Sequence, residues 1–229
     1  EVFNHTLWNV RLAGYECFIS NYPNKREILD SLYFKEIPEE IQVKWFFTIY
    51  YLQEIDKIDL EFFEKLKRSQ KLEDKIIGTF ALATRNPEAE LQSLKSFVIE
   101  ALAKEGVAQA SALYAANFLF MIQDEQILDL LFEFQTEINK YKQEYNIFHL
   151  PEFIKPIKDT FPEKFIEKIK ELEENQIEGI VEIFTEKDQS YINKKMENLT
   201  DEEDKKKYTL ILNKIKTETI NVGDLDIEI

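Results

Sequence analysis

Glycine and proline are scarce in this chain of 229 residues, with 5 Gly and 6 Pro. Sheets joined by tight turns draw on glycine, because several turn types need a positive φ. That shortage, beside abundant Glu, Lys, Leu and Ile, predicts an all-α chain with short connections. Cysteine is almost missing as well. Cys17 stands alone, which excludes an intramolecular disulfide, and with two distant histidines it leaves too few ligands for a structural zinc site. Its apolar neighbours predict a small core side chain rather than a nucleophile. The histidines, His5 and His149, belong to no His-Glu-x-x-His and no Glu-x-x-His, so neither a metalloprotease helix nor a carboxylate-bridged di-iron bundle is encoded. No two glycines are close enough for a phosphate loop, and Gly-x-Ser-x-Gly is absent. No catalytic residue, cofactor or metal is therefore expected, and His149, just before Pro151, is expected to be a surface or half-buried imidazole.

What is present is enough for a core. Apolar residues make up 44%, aromatics 13%, and there are 18 Phe, a composition that excludes disorder throughout. The net charge is −15, unevenly spread. Up to Gln123 there are 14 basic and 18 acidic residues, and after it 15 and 26, so the two parts carry −4 and −11. A phosphate backbone or an anionic membrane surface would be repelled by most of this chain. The longest uninterrupted lysine run, Lys205 to Lys207, directly follows four acids, Asp201 to Asp204.

Gly106 to Gln123 is an 18-residue stretch without a charge. It predicts a helix over 107–122, buried on most of its circumference, around which the other elements pack. Ala108, Ala112 and Ala115 fall on one face, where a neighbouring backbone could come close, while Leu113, Phe118, Phe120 and Met121 cover other faces. Gln109, Ser111, Asn117 and Gln123 make it too polar for a membrane span.

Helices are predicted from Val2 to Ser20, from Arg26 to Phe34, from Pro38 to about Ile55 and from an N-cap at Asp59, followed by Leu72 to Thr84. Asn86-Pro87 opens a helix with Leu91, Leu94, Phe97, Val98, Ala101 and Leu102 at spacings of three and four, and Gly106 ends it. Asp124 to Tyr145 is the next, with Ile127, Leu130, Leu131, Phe134 and Ile138 facing inward. Helix pairs starting near Pro38, Leu72 and Val107 have the spacing of paired-helix repeats. In length and pattern alone this resembles tetratricopeptide and HEAT-type repeats. Gly78 takes the place of a small tetratricopeptide residue, but Glu90 and Phe97 stand where small residues should follow. The fold expected is an array of antiparallel helix pairs, either an irregular bundle or a stacked repeat, over 1–145.

Three prolines, Pro151, Pro156 and Pro162, mark 146–162 as a connector with about one helical turn. Beyond it, 163–219 reads as acidic peripheral helices, opened by capping boxes at Thr160 to Glu163 and Thr200 to Glu203. The last segment, 220–229, alternates as a strand would, and is expected to be an extended or frayed tail. Asp124, Glu125 and Asp129 resemble the aspartate-rich motif of isoprenoid synthases superficially. Their spacing departs from it and no second acidic motif answers them, so they are expected to favour the positive end of their helix.

The role expected from this pattern is a non-enzymatic protein-binding scaffold or adaptor with an acidic helical surface. Its partner would be another protein, a basic one being favoured by charge, with no nucleic acid and no membrane insertion. Tyr50 and Tyr51, in the aromatic block from Trp45, and the polar Gln109 and Asn117 are the candidate partner-binding residues. A helical bundle holding a small apolar ligand is the alternative, and an enzyme with dispersed site residues the next. A start at Glu1 rather than Met is expected of a processed form or a fragment, and a soluble chain of unassigned compartment is expected.

Overall fold

The computed structural model describes residues 7–21, 40–54, 60–141 and 145–223. Among them every regular element is helical and none is a strand. Twelve α-helices occur there: α1 Trp8–Asn21, α2 Ile41–Glu54, α3 Leu60–Lys67, α4 Leu72–Ala83, α5 Pro87–Leu102, α6 Val107–Asn117, α7 Ile127–Tyr141, α8 Pro151–Thr160, α9 Pro162–Lys168, α10 Glu174–Ile180, α11 Gln189–Glu197 and α12 Glu202–Gly223. The chain forms two compact units, Glu1–Ala115 and Ala116–Ile229. The predicted helix over 26–34, the proline opening at Pro38, the cap at Asp59 and the residues 224–229 lie outside the described residues. Residues 220–223 continue α12.

In the first unit, α2 is rich in β-branched residues, which are indifferent helix formers. Tertiary burial overrides that preference: Ile41, Val43, Thr48 and Ile49 are all buried. Trp45, Phe47 and Tyr51 project into the same core, where the Trp45 ring meets Phe80 edge-on at 5.1 Å and stacks on Tyr114 at 6.1 Å. The helices α3, α4 and α5 pack in succession. The α3–α4 crossing is close because of Gly78. A Cβ there would lie 2.5 Å from the Lys67 nitrogen and 2.6 Å from the Phe63 carbonyl oxygen. Pro87 opens α5 with Glu88 and Glu90 in its first turn, and Leu91, Leu94, Val98, Ala101 and Leu102 are buried as their spacing requires.

Three expectations for this region need correction. Cys17 is exposed rather than in the core, and Leu7 of the same segment is 57% exposed. The long uncharged rod is shorter than predicted: α6 stops at Asn117, and a 3-10 turn over Leu119–Met121 follows. Phe118 and Phe120 leave the helix to pack against Phe153, at 5.4 and 5.7 Å. Burial of α6 is also one-sided. Ser111, Ala112, Ala115 and Ala116 are buried, while Val107 is 48% exposed and the rest are intermediate.

In the second unit, α7 buries Ile127, Leu130, Leu131, Phe134 and Ile138, as predicted. Gln135 on this helix ties down the following segment. Its Oε1 accepts from the Ile147 N–H at 2.8 Å, and its Nε2 donates to the Tyr145 carbonyl at 3.3 Å. The proline-containing stretch 146–162 lies inside this unit and is mostly helix. A 3-10 turn over Ile147–His149 precedes α8, which runs for 10 residues with Pro156 inside it. Helices α9 to α12 are more than a charged layer: Phe165, Ile166, Ile177, Ile180, Phe184, Ile192, Tyr208 and Ile211 form a fully buried set. The predicted single helix after Pro162 is broken twice, by 3-10 turns at Ile169–Glu171 and Val181–Ile183.

The capping chemistry also differs from the sequence reading. The Thr160 hydroxyl donates to the Pro156 carbonyl and caps nothing, and Asp201, not Thr200, caps α12. The Asp201 Oδ1 accepts from the Glu203 and Asp204 N–H groups at 2.8 and 3.0 Å, and the Asp204 and Glu203 backbone bonds hold its carboxyl below the usual range. Capping boxes occur instead at Glu173/Gln176 and Thr185/Asp188.

Candidate functional site

The two units each hold a buried ion pair. In the first, Lys44 Nζ of α2 donates to Asp74 Oδ1 at 2.7 Å, and the Ser69 hydroxyl donates to Asp74 Oδ2 at 3.1 Å. In the second, Lys158 Nζ of α8 donates to Asp188 Oδ2 at 2.8 Å, and Asp188 also accepts from the Thr185 N–H. Both pairs join one helix to the start of another.

Of the four candidate partner-binding residues, three lie in the first unit and one, Asn117, in the second. Tyr51 is buried in the first unit, and Tyr50 beside it is half-buried. Gln109 Nε2 donates to the Leu102 carbonyl at 3.1 Å, satisfying the end of α5. Asn117, in the second unit, accepts the Tyr145 hydroxyl at 2.9 Å. His149 is exposed, with its Nε2 3.4 Å from the Asn175 carbonyl oxygen. Among the described residues no group of three or more His, Cys, Asp or Glu is placed to hold a metal ion. Asp129 is paired to Lys168 at 3.0 Å, and Glu125 lies 3.6 Å from Lys164.

A different surface feature stands out, a groove of about 510 Å³ in the second unit. One wall is the segment from Glu171 to Glu174, where the chain leaves a 3-10 turn and enters α10. The other is the exposed side of early α12, with Glu203, Lys206, Lys207 and Leu210. Leu172 is buried at the base and Leu210 is half-buried. Four glutamates face two lysines around this apolar strip. Lys207 is already committed: its Nζ donates to the Lys170 carbonyl at 2.7 Å. Glu171 pairs with Lys168 at 3.2 Å, and Glu173 is held by the capping box. Glu174 and Glu203 are exposed and make no ion pair among the described residues.

Beside it, two smaller depressions of about 190 and 210 Å³ share Glu167 and Lys195. The second of these is lysine-rich and meets the large groove at Glu171. Its lysines are largely neutralised, Lys195 by Glu167 at 3.2 Å and Lys168 by Asp129. Sequence reasoning missed the groove because Glu, Lys and Leu at these positions look like any solvated helical face. The acidic excess of this half was the one signal.

No helix among the described residues is long and apolar enough to cross a membrane. No family model, curated protein or solved structure matches this chain. What the fold defines is an all-helical protein of bundle-like packing.

Proposed function

We propose that this chain is a non-enzymatic protein-binding scaffold, and that its second unit receives a short segment carrying Lys or Arg beside an apolar side chain. The observation that carries this reading is the groove between Glu171–Glu174 and α12. It offers an apolar strip at Leu172 and Leu210 and two carboxylates, Glu174 and Glu203, without ion pairs among the described residues. An excess of 26 acidic over 15 basic residues in this part of the chain adds a long-range attraction for a basic partner.

The test is a titration of a fluorescent peptide of alternating Lys and Leu, followed by anisotropy. Affinity is expected to fall several-fold between about 50 and 500 mM salt, as the Debye length shortens. Glu174→Gln with Glu203→Gln is expected to weaken binding at low salt and leave the unfolding transition near its place. Binding indifferent to both salt and the double substitution would rule out the groove as the contact.

A further inference from the structure

The two buried ion pairs have the same sequence separation, 30 residues in each case. A single shift of 114 positions carries Lys44 to Lys158 and Asp74 to Asp188. We infer that residues 37–101 and 150–215 are two tandem copies of one helical module, diverged until little but the frame is shared.

The sequence supports this at its start. Ile37-Pro38-Glu39-Glu40-Ile41 is answered by Leu150-Pro151-Glu152-Phe153-Ile154. One extra residue in the second copy, beside Pro156, then sets the shift. From Val43 and Ile157 onward no further gap is needed. Phe47 matches Phe161, Tyr51 matches Phe165, Ile55 matches Ile169 and Glu64 matches Glu178.

The helix bounds follow the same shift. The α3 end at Lys67 falls one position from the matching end of α10 at Ile180. The α4 span, Leu72–Ala83, corresponds to a 3-10 turn from Glu186 plus α11, which ends at Glu197. The start of α5 at Pro87 falls one position from the matching start of α12 at Glu202. Burial keeps the register too. Leu52, Phe63, Leu94, Val98 and Ala101 are buried, and so are Ile166, Ile177, Tyr208, Leu212 and Ile215 at the shifted positions. Helical periodicity alone makes apolar faces coincide at many shifts. It does not place a buried lysine and a buried aspartate at one shift, nor bring the end of α3, both ends of α4 and the start of α5 within one position of their counterparts.

The copies differ where function is proposed. The groove acids Glu171, Glu174 and Glu203 stand at the positions of Lys57, Leu60 and Ala89. Only Glu173 has an acid, Asp59, at the shifted position, so most of the acidic rim belongs to the second copy, a conclusion that rests on the groove reading, whereas the duplication does not. Packing has diverged as well. Gly78, at the tight α3–α4 crossing, corresponds to Ile192, a fully buried side chain that needs room between its helices.

The test is a library of single substitutions over the full chain, scored for folded protein by protease resistance on a cell surface. The tolerance profiles of 43–101 and 157–215 are expected to agree best at the 114-position shift. The agreement should exceed that at shifts three, four or seven positions to either side, where helical period alone produces likeness. Lys44 with Lys158, and Asp74 with Asp188, should reject the same replacements. A best match at another shift, or no shift standing above the rest, would overturn the duplication. Peptide binding plays no part in this readout, so failure of the groove proposal leaves it intact.

Discussion

The first unit fastens Lys44 to Asp74 with side chains that remain 10% and 13% exposed; the second fastens Lys158 to Asp188 at 3% and 5%. The second pair is also more elaborately held. Lys158 meets Asp159 at 2.8 Å as well, lies 5.8 Å from the Phe184 ring centre, and its partner closes a capping box. Desolvation grows with depth, and so does the penalty for stranding one charge. The same device is therefore set deeper in the second unit than in the first. Close packing shows the reverse order. The first unit depends on a glycine pressed against backbone, while in the second Gly179 faces the His149 ring, where a Cβ would lie 2.3 Å from Cδ2.

Four substitutions sharpen that contrast. Lys158→Met leaves Asp188 buried without its cation, and a loss of about 3–5 kcal/mol in urea unfolding is expected. Lys44→Met should cost on the order of 2 kcal/mol, because Asp74 is less deeply buried than Asp188 and its stranded charge is less desolvated. Equal losses would remove the distinction in depth. Next comes Gly78→Ala, at about 1–3 kcal/mol, since Lys67 and Phe63 offer backbone atoms that cannot move aside. Gly179→Ala should change stability by less than about 1 kcal/mol, because the exposed His149 ring can turn away, the Phe148 carbonyl oxygen at 3.1 Å needs to give only a few tenths of an ångström, and alanine favours the helix. Thermal unfolding of both variants decides it, and a larger loss at Gly179 would contradict the packing contrast.

Tyr208 gives a smaller effect with a sign in pH. Its hydroxyl donates to the Ile166 carbonyl at 2.7 Å. Burial first, then the charges of Asp204 and Glu167, push its pKa up to about 12. The unfolded phenol ionises near 10. The neutral form is thus favoured by folding: its contribution is fully present below about pH 10 and is lost as pH rises through about 12. Tyr208→Phe should cost about 1 kcal/mol at neutral pH, and the gap between the two proteins should close across that window. A gap constant with pH would contradict the burial of the phenol. Smallest is Thr79→Val. The Thr79 hydroxyl is buried with no hydrogen-bond partner among the described residues, so its removal should be neutral or stabilise by up to about 1 kcal/mol.

Much of the helical frame was legible. The 3–4 spacing of Leu91, Leu94, Val98 and Ala101 fixed one face of α5, and Pro87 marked its start. The break after Asn117 was not, because an uncharged run does not announce where aromatic rings will leave the helix for Phe153. Thr185-x-x-Asp188 carried a capping signature that could have been read, but its burial with Lys158 required tertiary structure. Tyr51 and Asn117 looked like candidates for a surface because their polar atoms were visible in sequence and their internal partners were not. The groove was illegible for the opposite reason: its walls, Glu171 to Glu174 and Glu203 to Leu210, are ordinary residues that gain meaning only by being side by side.

Paired double-mutant cycles, Lys44→Met with Asp74→Asn and Lys158→Met with Asp188→Asn, probe the shared ion-pair design most directly. Urea unfolding of the full chain should give favourable coupling at both sites, on the order of 1–3 kcal/mol, and larger at Lys158–Asp188. Coupling at one site with none at the other would contradict the claim that both units are held by the same tie.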